Sequence, residues 1–324
     1  MKALLTTCVL AVSLAASSIG TAQNYPARPI TIVVPFSAGG PTDTLARIMS
    51  EPMRKALGQI VVVDNTTGAG GTIATGRVVR AAPDGYLLVI GHWGTHVVNG
   101  AYYTLAFDVL ADFAPVAMIA SNPQVIISKL AVPAKDLKEL IAWINANQEK
   151  ALIGTGGVGG ASHMSGIYFL NRIGAKLQFV PYRGGAPALQ ALLAGEIDIY
   201  VTQVSSAVAH TRAGKIRAYA VTAPTRQEAA PEIPTVDEAG LPGLHTAVWH
   251  GIWAPKGTPR DIVMRLNAAI IETLAHQTVR LRFADLGQGI PSREQQAPEA
   301  LYAHQKAEIE KWWPLIKAAG LKAE

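Results

Sequence analysis

The chemistry in this sequence lies mainly in its glycines. Short apolar, β-branched runs are followed at once by glycine clusters and then by helix-length segments. The clusters are Phe36-Ser37-Ala38-Gly39-Gly40, Gly68-Ala69-Gly70-Gly71, Gly91-His92-Trp93-Gly94-Thr95-His96, Gly154 through His163, and Tyr182-Arg183-Gly184-Gly185. Glycine after a strand lets the backbone turn tightly and approach a ligand, and the helix that follows offers unpaired N–H groups at the positive end of its dipole. Each junction is therefore a potential anion site, and they fall in both halves of the chain. Ser37, Thr42, Thr95, Thr155 and Ser162 are short hydroxyl donors placed to supplement those N–H groups.

Other chemistries are poorly served. Gly154-x-Gly156-x-x-Gly159 matches a dinucleotide fingerprint, but the next strand ends in Tyr182-Arg183 and offers no acid for a ribose; no cofactor is expected. Ser162-His163 follows Gly160-Ala161, yet the closing glycine of a nucleophile elbow is missing, since Met164 comes next. His92 and His96 are four apart without a His-Glu-x-x-His pattern, so no metal is expected and they read as polar donors at a cleft rim. Lys311-Trp312-Trp313-Pro314 reads as the apolar side of a packed helix. Lys plus Arg at 28 against Asp plus Glu at 23 gives only +5, and no basic run alternates with aromatics, which excludes a nucleic-acid binder.

The elements that must hold these loops follow an α/β pattern. Strands are predicted at Ile30–Val34, Ile60–Val63 and Tyr86–Ile90, then at Gln124–Ser128, Ala151–Ile153, Gln178–Tyr182, Ile197–Val201 (leading to Gln203 and a helix), Ile216–Val221 and Ala247–Ala254. Helices are predicted at Leu137–Asn147, at Pro259–Ala275 and in the last segment up to Ala319. The 324 residues suffice for two lobes: 23–122 as the first part of lobe 1, 123–223 as lobe 2, and 224–324 returning to lobe 1 across the Pro-rich stretch Pro224–Pro234. The expected fold is two Rossmann-like α/β lobes facing each other across one ligand cleft, because ligands bind at strand C-termini in such sheets.

Residues 1–22 read as an export signal. Lys2 precedes the apolar run Ala3–Ala16, and small residues follow up to a cleavage site near Ala22. The single cysteine, Cys8, leaves with it, so no thiol chemistry remains. No later apolar stretch reaches the ~18 residues a membrane helix needs.

Taken together these segments resemble the substrate-binding receptors of tripartite tricarboxylate transporters, the Bug family. The likeness is carried by Tyr25–Ile30, Val33–Gly40 with Asp43, Asn65–Gly71, Ala82–Tyr86, Asp112–Val116, Gly154–His163, Pro181–Ala188, Leu193–Asp198 and Ala254–Pro259. The resemblance implies a periplasmic two-lobed receptor that closes on a small carboxylate and delivers it to membrane permease subunits. It also implies that the loop at Phe36–Gly40 faces the loop at Thr155–His163, each gripping one carboxylate end. The third loop departs from the family's Ser/Thr-rich form, reading Gly91–His96, and Trp249-His250 sets a histidine beside an expected aromatic position.

The expected ligand contacts are therefore Phe36, Ser37, Gly39, Gly40, Asp43, His92, Trp93, Thr95, His96, Thr155, Gly156, Ala161, Ser162, His163, Tyr182, Arg183, Gly184, Gln203 and Trp249. The expected ligand is a dicarboxylate, with Trp93 or Trp249 as a flat wall for an aromatic or medium-chain middle and a histidine donating to a carboxylate. The chain is expected to act as a monomer. Two other readings stand beside this one at the level of sequence: an exported serine hydrolase using Ser162 and His163, and the ligand-binding partner of a sensor kinase.

Overall fold

The computed structural model describes residues 25–36, 38–182, 185–318 and 320–322. The expected signal segment 1–22 and the expected contacts Ser37, Arg183 and Gly184 lie outside the described residues.

The chain opens with β1 (Ile30–Val34), α1 (Pro41–Leu57), β2 (Val61–Asn65), α2 (Thr72–Val79) and β3 (Leu87–His92). Strand β1 lies between β2 and β3, parallel to both. Helix α1 starts on Pro41, whose fixed φ suits the first helical turn, and stops at Gly58, which takes a left-handed φ of 71°. Its Leu45, Met49 and Met53 recur every fourth residue and are fully buried against the sheet. After β3 a π-helical turn, Gly94–Val98, runs into the short helix α3 (Asn99–Tyr102).

Strand β4 (Phe113–Lys129) joins the lobes. Its first part, up to Pro123, pairs antiparallel with β9 (Ala247–Pro255), which in turn pairs antiparallel with β3. From Gln124 onward it pairs with β7 (Ile199–Gln203) and β8 (Ile216–Val221). Sequence reading anticipated only Gln124–Ser128. Pro115 and Pro123 conceal the rest: Pro115 sits at a bulge, and Pro123 sits where the strand changes partners.

The second lobe continues with α4 (Leu137–Ala146), β5 (Leu152–Thr155), α5 (Ala161–Ile173), β6 (Gln178–Pro181), α6 (Gly185–Ala194) and α7 (Val204–Arg212). Strand β5 is parallel to both β6 and β7. The sheets are thus mixed rather than wholly parallel, the antiparallel pairs being those made by the connecting strands. The chain returns at Thr246, where Gln124 N–H donates to Thr246 O (3.3 Å) and the Thr222 hydroxyl reaches Thr246 O (2.7 Å).

The Pro-rich stretch is not itself the return. Ala230, Ile233, Val236 and Leu244 fill the second lobe's cores, because this segment's scattered apolar residues have the faces of β8 and α7 to bury against. Helices α8 (Arg260–Ala275), α9 (Gln277–Asp285) and α10 (Pro298–Ala318) complete the first lobe. Both sheets carry an apolar core on each face. Among the described residues no helix is long and apolar enough to cross a membrane.

Candidate functional site

The same turn is built twice. Between β1 and α1, Gly39 takes φ +79° and Gly40 takes φ −74°, ψ 168°. Between β5 and α5, Gly159 takes φ +74° and Gly160 takes φ −72°, ψ 171°. The left-handed glycine turns the chain, and the extended one becomes the helix cap. Because both caps are glycine, no cap side chain satisfies the first-turn N–H groups of α1 or α5.

In each helix the third residue folds back onto the left-handed glycine. Gly39 N–H donates to Asp43 Oδ2 (2.7 Å), and Gly159 N–H donates to His163 Nδ1 (3.1 Å). These side chains hold the turns rigid while the helix dipole ends stay open to an anion.

Both turns line one cavity of about 920 Å³. The first lobe contributes Phe36, Gly40, Pro41, Thr42, Gly70, His92, Trp93, Gly94, Asn99, Tyr102, Tyr103, Val248 and His250. Val158, Gly159, Gly160, Ala161 and Gln203 come from the second. The described lining contains no Lys, Arg, Asp or Glu, so the polarity facing a ligand there is that of helix ends and neutral groups. Tyr102 reaches across the cleft: a Cβ on Gly159 would lie 3.2 Å from its ring.

His92 stacks on Phe36 with ring centroids 4.6 Å apart, and its Nδ1 accepts from Gly94 N–H at 2.8 Å. Burial pushes the His92 pKa down to about 4, so the ring is neutral with its proton on Nε2. His250 is 1% exposed and its Nε2 lies 3.1 Å from Thr42 Oγ1; burial holds its pKa well below the usual histidine range.

Phe36, Gly40, His92, Trp93, Ala161 and Gln203 are thus expected contacts that line the cavity, and Gly39 lines a smaller neighbouring one beside Gln203. The other described ones are not among its lining residues. Thr95 closes the β3 turn, donating to His92 O and accepting from His92 N–H, both at 3.0 Å. His96 is fully buried and stacks on Trp253 at 3.7 Å. Thr155 donates to Gly157 O, and Ser162 Oγ accepts from Gly156 N–H at 2.9 Å, so these groups brace the second loop from within. Ser162 and His163 each bind a loop glycine, an arrangement that leaves no Ser–His pair among the described hydrogen bonds. Tyr182 points toward Glu196, and Trp249 lines a separate cavity of about 450 Å³ with His304.

Asn99, Tyr102, Tyr103, Val158 and Val248 were not singled out from sequence, nor were Thr42 and His250 among the expected contacts. Asn99 Nδ2 donates to Gly70 O at 3.0 Å, tying the α3 segment to the second glycine cluster.

Asp43 is 1% exposed beneath the first loop and accepts from Gly39 N–H, Arg47 Nε (2.9 Å) and Asn65 Nδ2 (3.0 Å). Burial opposes its charge, but these donors outweigh it and keep its carboxyl below the usual range. Asp43→Ala should lower stability by about 2–3 kcal/mol, since hydrogen bonds to a buried charge are worth more than neutral ones. It should weaken ligand binding as well, through a loosened turn. Urea denaturation with calorimetry checks both; a change below about 0.5 kcal/mol would show the loop stands without it.

Two α/β lobes joined by crossing strands, with a cleft lined by glycine-capped helix starts from either side, define a periplasmic-binding-protein type of solute receptor. The chain belongs to the tripartite tricarboxylate transporter family receptors (TctC), whose family profile matches residues 45–321. These are substrate-binding receptors rather than enzymes. The chain is similar to MatC of Rhodopseudomonas palustris, solved with bound malate, at 40% identity and a TM-score of 0.76, covering 90% of this chain and all of that one. A second R. palustris protein, solved with adipate, is 32% identical with a TM-score of 0.78, over 92% of this chain and all of that one. Protein BugT of Bordetella pertussis is 32% identical over 93% of this chain and 92% of its own length.

Proposed function

We propose that the protein captures a small dicarboxylate outside the cytoplasm and presents it to the membrane permease subunits of a tripartite transporter. The supporting observation is the pair of glycine-capped helix starts, one per lobe, opening on the same cavity. One carboxylate sits at the start of α1 and the other at the start of α5. The middle of the ligand lies against Phe36, Tyr102 and Tyr103, with Val158 and Val248 adding apolar surface. An aliphatic spacer or an aromatic ring suits that wall. Ligands of two similar receptors, malate and adipate, are both dicarboxylates. Export follows from the N-terminal segment ending near Ala22, and the receptor works as a monomer in this reading.

The test is a thermal-shift and calorimetric series of mono-, di- and tricarboxylates, with adipate, malate, an aromatic dicarboxylate and citrate among them. A dicarboxylate at about 100 times its Kd should stabilise the protein by about 2.7 kcal/mol. Stabilisation by neutral sugars or cations alone would overturn the reading.

A further inference from the structure

Helix α5, whose start lines the cavity, is buried on two sides by different lobes. Phe169 and Leu170 lie in the second lobe's core. Met164, 0% exposed, lies instead in a core with Trp93, Leu301 and Trp312, and Ala161, Ile167 and Tyr168 pack against the same core. Their spacing puts these four α5 residues on one stripe of the helix. Among the described residues, every other member of that core belongs to the first lobe. The place of α5's first turn across the cavity is therefore set by what holds this stripe against the first lobe.

The hold is a junction of α5, α10 and the strap 242–245, which runs just ahead of the crossing at Thr246. Three strap carbonyls each accept a side-chain donor. Arg172 Nη2 donates to Pro242 O at 2.7 Å, the Tyr168 hydroxyl to Gly243 O at 3.4 Å, and Lys311 Nζ to His245 O at 2.6 Å. The first two donors come from α5, and Lys311 comes from α10. Lys311 Nζ also lies 4.9 Å from the centroid of the Tyr168 ring and 5.1 Å from that of Trp312, within cation–π reach of both. Those two rings meet edge to face at 5.3 Å, and Trp312 meets Trp93 of the cavity lining in the same way at 5.0 Å. Burial pushes the Lys311 pKa down, with Glu308 opposing this and Arg172 adding to it. An ammonium half-buried at such a cost stays there because the carbonyl and the two rings offset it.

We propose that Lys311 is a positioning residue for ligand capture: by tying α10 to Tyr168 and to the strap, it keeps the start of α5 at its place across the cavity without touching the ligand. The effect on affinity rests on the dicarboxylate reading above, whereas the placement of α5 does not.

Met164 supplies a probe that needs no ligand. Its thioether is reached by hydrogen peroxide only when α5 parts from the first lobe, while Met49 and Met53 of α1, both 0% exposed, report general unfolding. In ligand-free Lys311→Leu, mass spectrometry should find Met164 oxidised severalfold faster than in wild type, with Met49 and Met53 unchanged. Calorimetry should find adipate and malate bound about tenfold more weakly, the loss expected if α5 keeps its place only a tenth of the time. Lys311→Arg, which keeps a long cationic donor, should restore both readings. Tyr168→Leu should reproduce the defect from the α5 side, and it decides the matter if Lys311→Leu does not fold. Wild-type protection of Met164 in the variant overturns the inference. So does faster oxidation of all three methionines together, or unchanged affinity with Met164 exposed. If neither adipate, malate nor any other dicarboxylate binds wild type, the functional reading falls, and the oxidation of Met164 still decides whether Lys311 places α5.

Discussion

Gly160→Asp should abolish dicarboxylate binding while the ligand-free protein melts at or slightly above the wild-type temperature. The two effects have opposite signs because they act on the same N–H groups. Gly160 caps α5 at φ −72°, ψ 171°, a conformation any residue adopts. Aspartate is among the best caps: its carboxylate accepts from the second or third N–H of the helix and favours the dipole end. Relative to glycine this gains only a few tenths of a kcal/mol. The new Cβ would lie 3.1 Å from Gly157 O, so that carbonyl has to move by a few tenths of an ångström, which offsets part of the gain.

For a ligand the consequence is far larger. The position meant for its carboxylate is filled by one already attached to the chain, and a like charge now faces the cleft. Affinity should fall at least about 100-fold, or roughly 2.7 kcal/mol. Gly160→Asn separates the contributions, since it fills the N–H groups without the charge. Calorimetry beside thermal melts reads the result. Near-wild-type affinity in Gly160→Asp would remove α5 from the binding site. The equivalent change at Gly40 is less clean, because it would place a second carboxylate close to Asp43.

The two helix starts were legible in the sequence because everything they need is local: a strand, two glycines and a helix within about ten residues. The turn at Gly39-Gly40 and the one at Gly159-Gly160 were both marked by their glycines alone. The cavity floor was not legible in the same way. His92 and His250 meet only through the β3–β9 register, across 157 intervening residues, and no local pattern encodes that pairing. Trp249, beside His250, necessarily points to the other face of the strand, which is why it fills a different cavity.

The loop hydroxyls fell between these cases. Thr155 and Ser162 sit where donors were expected, but the tight turns consume them internally. Tyr102 and Tyr103 follow a π-helical turn, a local widening that sequence periodicity does not reveal. Their signal was only an aromatic pair downstream of a glycine loop.

Stability should fall steeply as pH drops from about 6.5 toward 4, while ligand affinity stays flat from pH 6 to 8 apart from the ligand's own ionisation. Burial lowers the pKa of five histidines, His163 and His304 among them, and the three most deeply buried weigh most. His92 has its pKa pushed down to about 4 by burial, and burial drives His96 and His250 well below the usual value. His96 is stacked on Trp253 with no partner for Nε2, so there is nothing nearby to stabilise its charge.

In the unfolded chain each histidine takes up a proton near pH 6.5. In the folded chain it does not until much lower pH. The unfolded state therefore binds more protons throughout this window, and stability rises with pH across it. Each such group contributes up to about 1.4 kcal/mol per pH unit, so these three alone give a slope of roughly 4, to which His163 and His304 add. Asp43, whose folded pKa is depressed, loses its contribution only at lower pH still, which keeps the two acid effects apart.

Urea denaturation between pH 4.5 and 7.5 measures the slope, and His96→Phe, which keeps an aromatic ring against Trp253, should remove up to about 1.4 kcal/mol per pH unit of it. The affinity arm follows from the same neutrality. A charged histidine holding the anion would weaken binding as pH rises toward 8, whereas a neutral Nε2–H donor at His92 has no proton to lose in that range. Level stability down to pH 4.5, or affinity that declines with rising pH, would mean that these rings carry charge in the folded protein after all.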